Sequence, residues 1–172
     1  MGKLFRTSTN GIASGNTYEE AVFHSLCELI ERDAWSLVEA SQNAGPAITD
    51  VTHPVARELL DKFKEAGVDV ILRDITSDLG IPTVAAVSDD LQLRDPTLLC
   101  IGMGSHLCSE IAILRALTEV AQSRATQIHG AREDTKTTHF LSKVGYDRAK
   151  RLNKKWFTTE AEIAYKDMPS YH

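Results

Sequence analysis

The chain has 172 residues, 42% hydrophobic and 25% charged, which is ordinary for a globular protein and favours one domain with a real core. Its net charge of −5 argues against a nucleic-acid binder, which would carry a basic patch. No apolar run reaches the roughly 18 residues needed to span a bilayer.

Met1 to Arg6 lacks the apolar core of a signal peptide, and Gly2 does not have the hydroxyl spacing of a myristoylation motif. The three cysteines, Cys27, Cys100 and Cys108, are odd in number and sit in apolar or helical segments. Buried thiols in a reducing cytoplasm fit them better than disulfides. Cys100 and Cys108 with His106 do not have a usual zinc-ligand spacing.

In chain order, residues 4–10 alternate as an extended segment, and Asn10-Gly11 and Ser14-Gly15-Asn16 punctuate a loop. Thr17 followed by Glu20 is a capping box, so a helix is predicted from Tyr18 to about Ser41. Val22, Phe23, Leu26, Leu29, Ile30, Ala34, Leu37 and Val38 should form one broad apolar arc, with Glu20, His24, Glu28 and Glu31 as a separate polar stripe. Pro46 to Pro54 reads as a connector, Val55 to Ala66 as a helix closed by Gly67. Val68–Leu72, Pro82–Val87 and Thr97–Met103 read as strands. A second long helix is predicted from about Cys108 to His129, with Arg115, Glu119, Gln122 and Thr126 on one polar stripe. Gly130 opens a polar stretch, a basic amphipathic helix covers about Tyr146 to Lys155, and an acidic tail follows. The alternation implies an α/β or α+β single domain, long helices on a small mixed sheet.

On a helix, Glu28 and Glu31 lie about 5–6 Å apart at Cβ. Two ionised carboxylates at that distance repel by roughly 3 kcal/mol at an effective dielectric near 20. A proton, Arg32 or a divalent cation would offset this, and magnesium prefers a few carboxylates plus phosphate oxygens and water. The other reading is a solvated charged face. Glu119 and Gln122 sit on a helix that is otherwise mostly Ala, Leu, Ile and Val. A carboxylate there needs a partner, either Arg115 in a structural ion pair or a ligand. Neither G-x-x-x-x-G-K-[ST] nor G-x-G-x-x-G occurs. Gly102-Met103-Gly104-Ser105-His106 joins strand to helix and reads as a plain turn or a weak anion site. No nucleophile–base pattern is present, so no catalytic residue is assigned.

Three blocks carry a family resemblance. S-T-N-G-I-A-S-G-N-T-Y-E-E-A-V-F-H-S-L-C-E-L-I-E-R-D-A, D-I-T-S-D-L-G-I-P-T-V-A-A-V and G-M-G-S-H-L-C-S-E-I-A-I-L-R-A-L-T-E-V-A-Q-S-R occur in the order found in YcaO-domain proteins. The chain resembles the central and C-terminal part of that domain, about residues 6–134, with 135–172 as a C-terminal extension. The resemblance implies an ATP-binding fold without a P-loop. It also implies ATP- and magnesium-dependent phosphorylation of a peptide backbone amide, giving an azoline, thioamide or amidine. Carried over, Glu28, Glu31, Glu119 and Gln122 would hold Mg2+. Ser8, Asn10, Arg32, His106, Gln122 and Arg124 would contact ATP. A peptide or protein substrate, a partner protein that delivers it, a cytoplasmic location and a homodimer are further implications. A non-catalytic partner- or peptide-binding domain and a carboxylate–metal hydrolase are the alternatives. The chain is about half the usual domain length, which makes it a fragment, a truncated gene product or one half of a split protein on this reading.

Overall fold

A computed structural model describes residues 8–129 and 143–171. Those residues form a five-stranded mixed sheet flanked by helices on both faces. In chain order the elements are α1 (Tyr18–Ser41), β1 (Ala47–Thr49), α2 (Pro54–Glu65), β2 (Val68–Asp74), β3 (Thr83–Asp90), β4 (Ile101–Ser105), α3 (Ser109–His129), α4 (Tyr146–Leu152), α5 (Lys154–Phe157) and β5 (Glu162–Ala164). The strand order is β4-β3-β2-β1-β5, antiparallel throughout except for the parallel β1–β5 pair.

Strand β3, next to the edge strand β4, is buried at every residue. Its apolar part, Val84 to Val87, is a continuous run rather than an alternating one, as expected where both faces are covered. Its side chains still alternate: Val84 and Ala86 join the cluster under α2 and α3, while Ala85 and Val87 join the one under α1. Helix α3 lies directly on the edge strand β4. A Cβ on Gly102 would overlap the backbone nitrogen of Val120, and one on Gly104 the carbonyl of Ala112. Gly102 and Gly104 therefore lie within a strand and permit close helix approach; neither forms the turn expected from the sequence.

The ends of α1 and α3 and the closure of α2 at Gly67 (φ 72) agree with the sequence reading to within a residue or two. Other elements differ. The stretch read as a connector holds β1, and the tail holds β5, its partner. The third expected strand begins with a 3-10 turn at Pro96–Leu98. The basic helix is two helices meeting at Asn153. The expected apolar arc of α1 is only partly buried. Ala34 and Val38 are buried, together with Cys27 from outside the arc, whereas Val22, Leu26, Leu29 and Leu37 are exposed. Residues 4–7 of the first extended segment and the polar stretch after Gly130 lie outside the described residues.

The C-terminal elements hold α1 in place. Trp156 is buried against Ala34 and Val38 of α1 and Ala85, Val87 and Met103 of the sheet. Lys155 pairs with Glu39 at 2.9 Å. Arg73 of β2, 1% exposed, donates to the carbonyls of Trp156 (3.2 Å), Gly45 (3.1 Å) and Thr158 (2.8 Å). One guanidinium thus joins the C-terminal segment to the loop after α1.

Candidate functional site

The loop before α1 folds back along the helix. Thr17 Oγ1 accepts from the Glu20 N–H at 3.2 Å, and Glu20 Oε2 accepts from the Asn16 N–H at 2.6 Å. Glu20 is therefore used at the cap, and only the later acids of its stripe remain available. Ser25 Oγ donates to the Gly11 carbonyl at 2.5 Å, and the Gly11 N–H donates to Glu28 Oε2 at 3.1 Å. Gly11 has φ 79, a conformation that favours glycine and turns its N–H toward the helix. His24 Nδ1 lies 3.2 Å from the Ser14 carbonyl, which can only accept, so this nitrogen carries the proton.

One helical turn past Glu28, Glu31 is 5% exposed. Burial, then the nearby Glu119 charge, push its carboxyl up to about 7, against a smaller pull from Arg32 and Arg115. Arg32 reaches Glu31 Oε1 at 3.5 Å, not Glu28, and its guanidinium lies over the Trp35 ring at 5.6 Å. Its Nε is buried without a hydrogen-bond partner among the described residues.

From the opposite side, Glu119 Oε2 accepts the Met103 N–H at 2.9 Å. Ser88 N–H donates to Cys100 O and His106 N–H to Pro82 O, so the even residues of β4 face β3. The odd ones, Met103 among them, face the outer edge, where α3 meets them.

These groups line one open cleft of about 380 Å³ between α1 and α3. Glu28, Glu31, Arg32 and His24 come from α1, and Arg115, Glu119 and Gln122 from α3, with Ile12 and Ala13 at the loop wall. A comparable depression of about 340 Å³ beside Gln42, Gly45, Lys154 and Thr158 includes only one acid, Glu160.

Four of the expected metal ligands and Arg32 are thus brought together. Four other candidates are not among the cleft-lining residues. Ser8 and Asn10 are exposed on the loop. His106 packs edge-on to Phe23 at 5.2 Å and accepts the Cys108 N–H at Nδ1, and burial with the Arg115 charge holds its imidazole below the ordinary range. Arg124 is 8% exposed and pairs with Asp90 at 2.8 Å and the Leu98 carbonyl at 3.1 Å. Its guanidinium fastens α3 to the end of β3, away from the cleft. Arg115, Thr118 and His24 line the cleft although none was assigned a ligand role from the sequence. Arg115 makes no ion pair among the described residues; the spacing Arg115–Glu119 suggested one because the two are a helical turn apart.

Among the described residues no three His, Cys, Asp or Glu side chains converge closely enough to hold an ion unaided. The donor set fits a magnesium–phosphate ligand nonetheless. Mg2+ is usually held by one or two carboxylates with water and phosphate oxygens completing the shell. Arg32 Nε and Arg115, neither partnered among the described residues, are donors suited to an anion.

Comparison with known proteins places this fold in a family. Residues 1–171 match the family model described as YcaO cyclodehydratase, ATP- and Mg2+-binding. The chain belongs to the YcaO family. A protein of Methanothermobacter thermautotrophicus is 58% identical over 159 residues, covering 90% of this chain and 41% of that protein. The structure of YcaO from Methanopyrus kandleri bound with AMPPCP and Mg2+ superposes with a TM-score of 0.81 at 32% identity, covering 97% of this chain and 43% of that one. A heterocyclase in complex with substrate and cofactor gives 0.79 at 30% identity, over 99% of this chain and 23% of that one. The chain spans less than half the length of each of these relatives.

Proposed function

We propose that this chain carries the magnesium–phosphate half of an ATP-dependent enzyme that activates a peptide backbone amide toward azoline, thioamide or amidine formation. The observation that carries this reading is the convergence of Glu28 and Glu31 with Glu119 and Gln122 on one cleft, beside a buried Arg32 Nε that has no partner among the described residues. ATP with Mg2+ supplies a transferable phosphoryl group. Glu31, Glu28, Glu119 and Gln122 hold the cation, and Arg32 and Arg115 neutralise phosphate oxygens. Phosphoryl transfer needs mainly positioning and charge neutralisation, which metal-holding carboxylates and arginines supply. The relative solved with AMPPCP and Mg2+ supports the ligand, and the heterocyclase solved in complex with substrate and cofactor supports a substrate held beside it. A delivery partner, a homodimer and a cytoplasmic setting belong to the same reading. Among the described residues no helix is long and apolar enough to cross a membrane.

Calorimetric titration with AMPPCP and Mg2+ tests it. Glu31→Gln and Glu119→Gln should each weaken binding at least about tenfold, equivalent to about 1.4 kcal/mol. Unchanged affinity in both variants would remove the reading. Metal-dependent turnover without nucleotide would favour a hydrolase.

A further inference from the structure

Between Lys143 and Lys155 the charge balance of the chain reverses. Its net charge is −5, yet six of these thirteen residues are Lys or Arg and one, Asp147, is acidic. Two of the cations are used within the fold: Lys150 holds the buried Asp89, and Lys155 pairs with Glu39 at 2.9 Å. Asp147 is itself taken by Arg94 at 2.6 Å. Lys143, Arg148, Arg151 and Lys154 are exposed and make no ion pair among the described residues. At 100° per residue, Arg148 and Arg151 stand on the side of α4 away from its buried Tyr146 and Ala149.

Lys154 carries this basic face into the depression of about 340 Å³ at the end of α1, which it lines with Lys155, Gln42 and Asn43. Asn43 Oδ1 is occupied by the Gly45 N–H at 2.9 Å, so the NH2 end of that amide is left for a ligand. Arg73, 1% exposed, is bonded to the carbonyls of Gly45 and Thr158, both lining residues, and has no carboxylate partner among the described residues. A buried cation without a counter-charge favours an anion nearby. Glu160 is the one acid of the lining. We infer that the α4–α5 face and this depression form a docking site for an acidic polypeptide segment, with one carboxylate seated beside Lys154 and Asn43 and others along Arg151 and Arg148. A nucleic acid fits the face less well. Tyr146 and Trp156 are buried and Phe157 lies under Lys150, so no ring is offered to a base. The acids Asp147 and Glu160 would also repel an evenly charged phosphate backbone, whereas a peptide places its carboxylates at intervals. The site lies along α1 from the cleft, Gln42 being about 17 Å beyond Glu31 at 1.5 Å per residue. On the function proposed above, about five extended residues would separate an anchored acid from an amide held at the cleft.

Fluorescence anisotropy with a fluorescein-labelled octaglutamate peptide tests the docking site without nucleotide or metal, so its outcome and that of the ATP reading are decided separately. The expected result is saturable binding that weakens as salt is raised. Arg148→Glu with Lys154→Glu should weaken it at least about tenfold, and Arg148→Gln with Lys154→Gln by less, in the same direction. Lys62→Glu with Lys64→Glu makes the same change in net charge on α2 and should leave binding within about twofold of wild type. Far-UV circular dichroism should be unchanged in all three, since the substituted side chains are exposed. Absence of saturable binding, equal loss in the α2 variant, indifference to the α4–α5 substitutions, or tighter binding of a single-stranded thymidine octamer than of the peptide would each overturn the inference.

Discussion

Glu119, on α3, accepts a hydrogen bond from the Met103 backbone N–H on the outer edge of β4, at 2.9 Å. The bond fixes a carboxylate over the cleft and satisfies an edge amide at the same time. Removing the acceptor and removing the charge should therefore separate. Glu119→Ala leaves the amide unpaired and should cost about 1–3 kcal/mol in urea unfolding. Glu119→Gln keeps an acceptor and should unfold close to wild type while losing affinity for Mg2+ with AMPPCP.

Glu31 makes stability depend on pH. Its carboxyl is pushed up to about 7 from an ordinary 4.5, so between those values the folded state binds more protons than the unfolded one. Stability should fall as pH rises through that window and level off above it, by about 3 kcal/mol if the whole shift is expressed. Glu31→Gln should flatten this dependence and be the more stable protein at pH 8 without added metal. Denaturant curves at pH 5 and pH 8 for both proteins check the sign.

The long helices and their acidic stripes were legible because capping residues and 3.6-residue periodicity are local signals. Thr17 marks the start of α1 as read, and Glu28, Glu31, Glu119 and Gln122 share a cleft. What was not legible depends on distant partners. β1 and β5 are three residues each and exist through pairing such as Ile48 with Ile163. Arg124 and Arg115 both sit beside the second acidic motif, but only the tertiary position of Asp90 turns Arg124 away. The apolar positions of α1 were read as one face because periodicity does not report how many partners a helix has.

Arg73 should be a stability determinant remote from the cleft. Arg73→Met leaves three carbonyls, those of Gly45, Trp156 and Thr158, without their donor. The expected loss is about 3 kcal/mol, near that for deleting one partner of a buried charged network. Limited proteolysis should then cut the segment between α4 and β5 faster than in wild type.

Gly104 and Gly102 should reject even alanine. The atoms that an added methyl meets are backbone atoms of α3, which cannot rotate away. Gly104→Ala should destabilise by about 1–3 kcal/mol or more, because α3 must lift from β4. Thermal melts check this, with Gly145→Ala as a comparison where open space surrounds the position and only its φ of 77 is strained.

We propose that metal and nucleotide bind together in the cleft between α1 and α3. Mn2+ in place of Mg2+, added with AMPPCP, makes the location visible through paramagnetic broadening of backbone amide resonances. The amides of Gly11 and Met103, bonded to Glu28 and Glu119, should broaden first, and Glu31→Gln should suppress the effect. Broadening centred on Gly45 and Thr158, or none at Gly11 and Met103, would place the ligand elsewhere and overturn this assignment.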